Sequence, residues 1–184
     1  RLPGYRDTDR VRVRILAAPV CPAVSGFGLY AEPERSMGTH TAPATEAGIS
    51  KSGWQVVAAP GEAANTPLID GKPSFWQGPF DPKNPDNNDI VIDMGKTTEI
   101  SGLLFNPVYE AFVPGLITKY SVALSMDGKS WKEAAAGEFG NIRANPIQQR
   151  ITFGQKQQTR YIKLTPRQLA DTGTQVRIAE IGAF

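Results

Sequence analysis

Leu68-Ile69-Asp70-Gly71-Lys72-Pro73-Ser74-Phe75-Trp76 is the stretch of this sequence richest in potential chemistry. An apolar pair leads into Asp-Gly, a proline-containing turn follows, and two adjacent aromatics close it. Gly71 tolerates positive φ and Pro73 presets a turn, so the loop folds back on itself at a strand end. A carboxylate in such a loop, with backbone carbonyls turned inward, can form one side of an oxygen-lined cation site. The same residues also make an ordinary surface Asp-Gly turn, and the loop alone leaves both readings open.

Catalytic chemistry finds little support. The sole histidine, His40, sits in a stretch without periodicity that reads as linker, which does not support a metal or catalytic role. There is no Ser/His/Asp set, no metalloprotease helix and no glycine-rich phosphate cradle. With 18 Asp and Glu residues, some pair will lie at glycosidase distance by accident, so a pair alone proves nothing.

The elements that must position the Asp70 loop read as strands. At 184 residues the chain holds one full domain and a fragment of another. It is too short for a (β/α)₈ barrel, which takes about 250 residues. Fifteen prolines and 18 glycines, without sustained helical periodicity, imply many turns and an all-β fold. The lone Cys21 excludes an internal disulfide. A net charge of +2 gives no footprint for nucleic acid or an anionic membrane. No apolar run approaches the ~20 residues of a membrane span, and no signal peptide heads the chain. Starting at Arg1-Leu2-Pro3-Gly4, the sequence reads as a piece of a longer protein.

Val11, Val13 and Ile15 alternate with arginines, and Val24 to Tyr30 is a second short strand. Residues 31 to 50 lack periodicity and read as a linker. Strands follow at Trp54–Ala58, Ile90–Gly95, Ile100–Phe105, Ile117–Ser125, Gln148–Phe153, Arg160–Leu164 and Ile178–Phe184, with 77 to 89 a long loop. Met126-Asp127-Gly128-Lys129 makes a hairpin turn of the Asp-Gly kind. This spacing predicts an antiparallel sandwich or jelly roll. Arg12-Val13-Arg14-Ile15 with Phe27-Gly28-Leu29-Tyr30 echoes Tyr161-Ile162-Lys163-Leu164 with Ile181-Gly182-Ala183-Phe184. By that echo, residues 1–31 are the closing strands of a preceding β-sandwich domain, 32–52 a linker and 53–184 the main domain.

Several motifs carry a resemblance, in order and spacing, over about 130 residues. They are Leu68-Ile69-Asp70-Gly71 with Phe75-Trp76, Ile92-Asp93-Met94-Gly95, Tyr120 with Ser125-Met126-Asp127-Gly128-Lys129-Ser130-Trp131, Arg160-Tyr161-Ile162-Lys163-Leu164, and Ala179-Glu180-Ile181. This set resembles the coagulation factor 5/8 type C (discoidin) family, in particular its bacterial carbohydrate-binding members, carbohydrate-binding module family 32. Separately, Arg10 to Tyr30 and the run Gly137 to Gln149 look like parts of bacterial α-L-fucosidases: the end of the β-sandwich after the catalytic barrel, and an appended discoidin module.

The resemblance implies a discoidin-like (galactose-binding-like) jelly roll and a structural Ca²⁺. Its ligands would be the backbone oxygens of Pro67, Lys72 and Ala179, the Asp70 and Glu180 carboxylates, and Ser74. The loop is one residue shorter than usual, and Ser74 stands where Thr is common. For sugar the resemblance implies Glu62 in the first loop; Gln77 replaces the usual His, and Val108 the usual Arg. Losing that arginine removes the strongest bidentate donor to adjacent hydroxyls. Trp76, Phe80, Tyr109 and Phe112 are candidate stacking platforms, with Glu110, Asn141 and Arg143 as polar neighbours. Trp54 and Trp131 read as packing. The implied role is a non-catalytic, glycan-binding C-terminal part of a secreted, periplasmic or cell-surface bacterial glycoside hydrolase. Its parent catalytic domain would be a partner in the same polypeptide. The rival is a structural domain that packs on that enzyme and binds no sugar.

Overall fold

Turn chemistry and alternation set the strands of this computed structural model, which describes residues 46–61, 66–109 and 113–184. The strands expected before residue 31, the internal echo and most of the linker lie outside the described residues. Among the described residues eight strands form: β1 (Gln55–Ala58), β2 (Trp76–Pro79), β3 (Ile90–Asn106), β4 (Ile117–Ser125), β5 (Lys132–Glu138), β6 (Gln149–Leu169), β7 (Gln175–Ile178) and β8 (Glu180–Ala183). One sheet runs β1-β3-β6-β4-β5 with β8 added to β3, and β2 pairs with β7. Every pairing is antiparallel, as expected of an all-β sandwich.

Two expected strand pairs turn out to be single long strands. Ile90–Gly95 and Ile100–Phe105 are the two ends of β3, and Gln148–Phe153 and Arg160–Leu164 fall along β6. Register shifts between Asp93 and Thr98 and between Ile100 and Gly102 absorb the irregular sequence without ending the ladder. Gly95, at φ 77, makes the first bend, and its N–H donates to the Asp93 carboxylate at 2.7 Å. A Cβ on Gly102 would lie 2.2 Å from the Ile151 carbonyl, so the second irregularity tolerates only glycine.

The expected loop 77–89 is partly ordered. Residues 76–79 pair with β7, and Pro85–Asn88 form a 3₁₀ turn. Buried Asn88 ties it down, accepting the Asp81 N–H at 2.7 Å and donating to the Asp81 and Pro166 carbonyls. The linker expectation also differs at its end. The Ile49 N–H donates to the Ala183 carbonyl at 2.8 Å, and Glu46 and Gln148 exchange two hydrogen bonds. Residues 46–52 are therefore held by the domain rather than spanning between domains.

The core is continuous through Trp54, Trp76, Ile92, Leu103, Phe105, Ile162 and Ile181, with Phe139 stacked between Phe105 and Tyr120 at 4.9 and 4.4 Å. Trp131 is half-buried, with the Lys163 ammonium 4.9 Å from its ring centre. Val108, Val113 and Leu116 form a satellite cluster.

Carboxylates clip one strand pair and one turn. Asp93 takes a bidentate pair from Arg160 at 2.9 and 2.8 Å, and this bonding holds its carboxyl below the usual carboxylate range. In the β4–β5 turn, Asp127 accepts the Ser130 and Lys129 N–H groups and the Ser125 hydroxyl, which likewise hold its carboxyl well below the usual carboxylate range. A folded-state pKa below the unfolded one adds stability above the unfolded value, and that stability is lost as pH falls through the folded value. Thermal unfolding should therefore be flat from neutrality to about pH 5 and should fall below about pH 4. Asp93→Asn should flatten the acid limb; an unchanged acid limb in that variant would remove Asp93 from the explanation.

Candidate functional site

The Asp70 loop is built as a clasp. A 3₁₀ turn at Thr66–Leu68 leads in, and fully buried Leu68 fixes its root in the core. Gly71 takes φ 68, the Lys72 N–H donates to Asp70 Oδ1 at 2.9 Å, and the Ser74 N–H to the Lys72 carbonyl at 2.8 Å. Across from it, the first residue of β8 faces the loop. Glu180 is 8% exposed, accepts the Gly71 N–H on Oε2 at 3.1 Å, and ion-pairs through Oε1 with the Lys51 ammonium. The structure thus brings the loop and the last strand together through Glu180, 109 residues on from Gly71.

The oxygens here suit a hard cation. Ser74 Oγ and Asn106 Oδ1 are buried without a hydrogen-bond partner, and both residues line one groove with Asp70, Lys72, Ala179 and Glu180. Buried oxygens without donors are costly, and a cation would satisfy them. Among the described residues no three His, Cys, Asp or Glu side chains cluster, so carbonyl and hydroxyl oxygens would complete any such shell. Pro67 lies in the turn behind and is not among the residues lining the groove. Asn106 was missed because nothing at Phe105-Asn106-Pro107 distinguishes a ligand from a strand end. Lys51 was missed because it lay in apparent linker.

The groove encloses about 950 Å³ between 46–51, 69–75, 104–109, 146–148 and 179–182. Phe75, Tyr109 and Ile147 give it an apolar rim, at 47%, 36% and 37% exposed. An aromatic rim beside a few polar groups is the general character of a small-ligand cleft. Trp76, expected as a platform, is instead core at 1% exposed, and Phe80 at 7% likewise. Strand alternation is the reason: Trp76, Gly78 and Phe80 face inward, leaving Phe75 and Gln77 outside. Trp76 needs the missing side chain of Gly78, since a Cβ there would lie 2.2 Å from its ring.

Gln77 accepts the Arg177 Nε–H at 2.7 Å and donates to Gln175, and the Arg177 guanidinium lies 5.7 Å from the Phe75 ring centre. A cation thus sits on the outer face of β2 and β7, although Val108, where an arginine was looked for, is buried with Val113 and Leu116. Asn141, at φ 56, is a turn residue whose carbonyl accepts the Ala144 and Asn145 N–H groups. Arg143 is exposed in the same turn. Neither lines the groove, although the turn delivers Pro146 and Ile147 to its wall. Glu62, Glu110 and Phe112 lie outside the described residues.

This architecture is shared with solved structures. A family 32 carbohydrate-binding module of NanJ from Clostridium perfringens, solved in complex with galactose, superposes with TM-score 0.57 at 21% identity, covering 72% of this chain and 94% of its own. A CBM32 domain of a family 31 glycoside hydrolase from the same organism gives TM-score 0.62 at 19% identity, covering 74% and 93%. At these identities the likeness concerns the fold. A Bacteroides ovatus ATCC 8483 protein assigned as an α-L-fucosidase is 32% identical with TM-score 0.54, covering 77% of this chain, which spans only 20% of that protein's length. No curated protein sequence matches the chain. The sequence model that does match is that of the F5/8 type C domain, over residues 46–181. A β-sandwich with an early loop clasped to its last strand, matched by that model over most of its length, makes this chain a member of the F5/8 type C domain family.

Proposed function

We propose that the chain is a non-catalytic carbohydrate-binding module of a secreted bacterial glycoside hydrolase of the α-L-fucosidase kind, and that it holds the enzyme on fucosylated or galactose-containing glycans. The observation that carries this reading is the groove, with Phe75, Tyr109 and Ile147 exposed on its rim. Flat apolar side chains offer a platform for the hydrophobic face of a sugar, and amide and charged groups beside them orient hydroxyls. Support for the parent enzyme comes from the B. ovatus relative. Among the described residues no helix is long and apolar enough to cross a membrane. Weak binding suffices in this role, because a tether beside a catalytic domain raises effective concentration. The clasp oxygens of Asp70, Ser74, Asn106 and Glu180 support a structural Ca²⁺ that joins the loop to β8.

Calorimetric titration of the chain with galactosides and fucosides tests the reading. Tyr109→Ala should weaken binding by about tenfold or more while leaving the melting temperature unchanged. A specific observation favours the structural alternative, namely that Val108 is committed to packing where a sugar-gripping arginine was sought. Absence of binding at millimolar sugar would leave that alternative standing.

A further inference from the structure

We propose that Lys51 is the clasp's resident cation, and that any divalent ion must displace its ammonium from Glu180 to bind. The inference rests on the clasp being a cation site and is independent of whether the groove binds sugar. Both oxygens of the Glu180 carboxylate are engaged, Oε1 by Lys51 and Oε2 by the Gly71 N–H. A carboxylate has about four acceptor sites, so lone pairs remain; the competition is one of charge, because a divalent ion on Glu180 would sit beside the Lys51 ammonium in a largely dry clasp.

The position of Lys51 is built into the chain. Its carbonyl accepts the Trp54 N–H at 3.0 Å, and Trp54 is anchored in the core, so the backbone at Lys51 is fixed. Its stem runs beside β8 at Gly182, where a Cβ would meet the Lys51 Cε at 3.6 Å. The ion pair is largely screened from solvent, with the two side chains 18% and 11% exposed. One ammonium carries three donors and a single charge, and it leaves Ser74 Oγ and Asn106 Oδ1 without partners. The clasp is thus half-satisfied: closed by a lysine, with oxygens over that suit a larger charge.

Binding that excludes another interaction is weakened by the strength of what it displaces. Lys51→Met should bind Ca²⁺ about tenfold or more tightly than the native chain, read by calorimetry with Ca²⁺ alone. Lys51→Arg, which keeps the charge, should bind Ca²⁺ as weakly as the native chain. In chelator, Lys51→Met should melt below the native chain, and Ca²⁺ should raise its melting temperature more than it raises the native one. Equal Ca²⁺ affinity in the native chain and Lys51→Met would overturn the proposal, as would no Ca²⁺ binding by Lys51→Met. These titrations contain no sugar, so failure to bind glycans leaves their outcome readable.

Discussion

Replacing Trp76 by alanine is expected to lower the unfolding free energy by about 3–5 kcal/mol, the usual cost of deleting a large aromatic from a packed core. The side chain is 1% exposed and belongs to the main cluster with Leu68, Phe80, Val176 and Ile178. Its ring lies over Gly78, so neighbouring atoms have little means of collapsing into the space it leaves. Trp76→Phe should cost less, because a ring remains to fill part of the volume. Phe75→Ala, at the adjacent exposed position, should stay within about 0.5 kcal/mol in stability. Urea denaturation measures all three. If Trp76→Ala unfolds at the native urea midpoint while Phe75→Ala does not, the assignment of inward and outward faces on β2 is wrong.

That pair of residues shows how much was legible in the sequence. The strands, the Asp127 hairpin turn and the family motifs follow from local pattern, because alternation and turn chemistry act over a few residues. Which of two adjacent aromatics points inward was also legible, though missed. Trp76, Gly78 and Phe80 form one face of a short strand and Phe75, Gln77 and Pro79 the other, and the more apolar face goes in. The continuity of β3 through Gly95 was less accessible, since a glycine followed by Lys-Thr-Thr reads equally well as a turn or a bulge. Least accessible were the long-range partners. Asn106 and Lys51 join the clasp only because β3, β8 and the segment before β1 converge in space. Arg177 meets Gln77 only because β7 pairs with β2 in one register. Only the resemblance placed Glu180 opposite Asp70, and it could not show that a lysine already touches that carboxylate.

Glu180→Ala tests what the clasp contributes without a metal. In chelator the substitution should destabilise the chain by about 3 kcal/mol, at the lower end of the cost of removing one partner of a buried pair. Two losses add. The Lys51 ammonium keeps its charge in a largely dry position with no carboxylate, and the Gly71 N–H loses its acceptor. The first loss should disappear when the lysine is also removed. Lys51→Met/Glu180→Ala should therefore be more stable than the two single effects predict by roughly 1–3 kcal/mol. The second loss should remain, since the Gly71 amide has no other acceptor within the clasp's hydrogen bonds. Coupling near zero would mean that Lys51 and Glu180 touch without mutual stabilisation, and the closure of the loop would then rest on Leu68 packing and the Gly71 bond. Coupling of the expected size would make the lysine part of the fold's closure, so that the ion expected of the family acts on a clasp that is already shut.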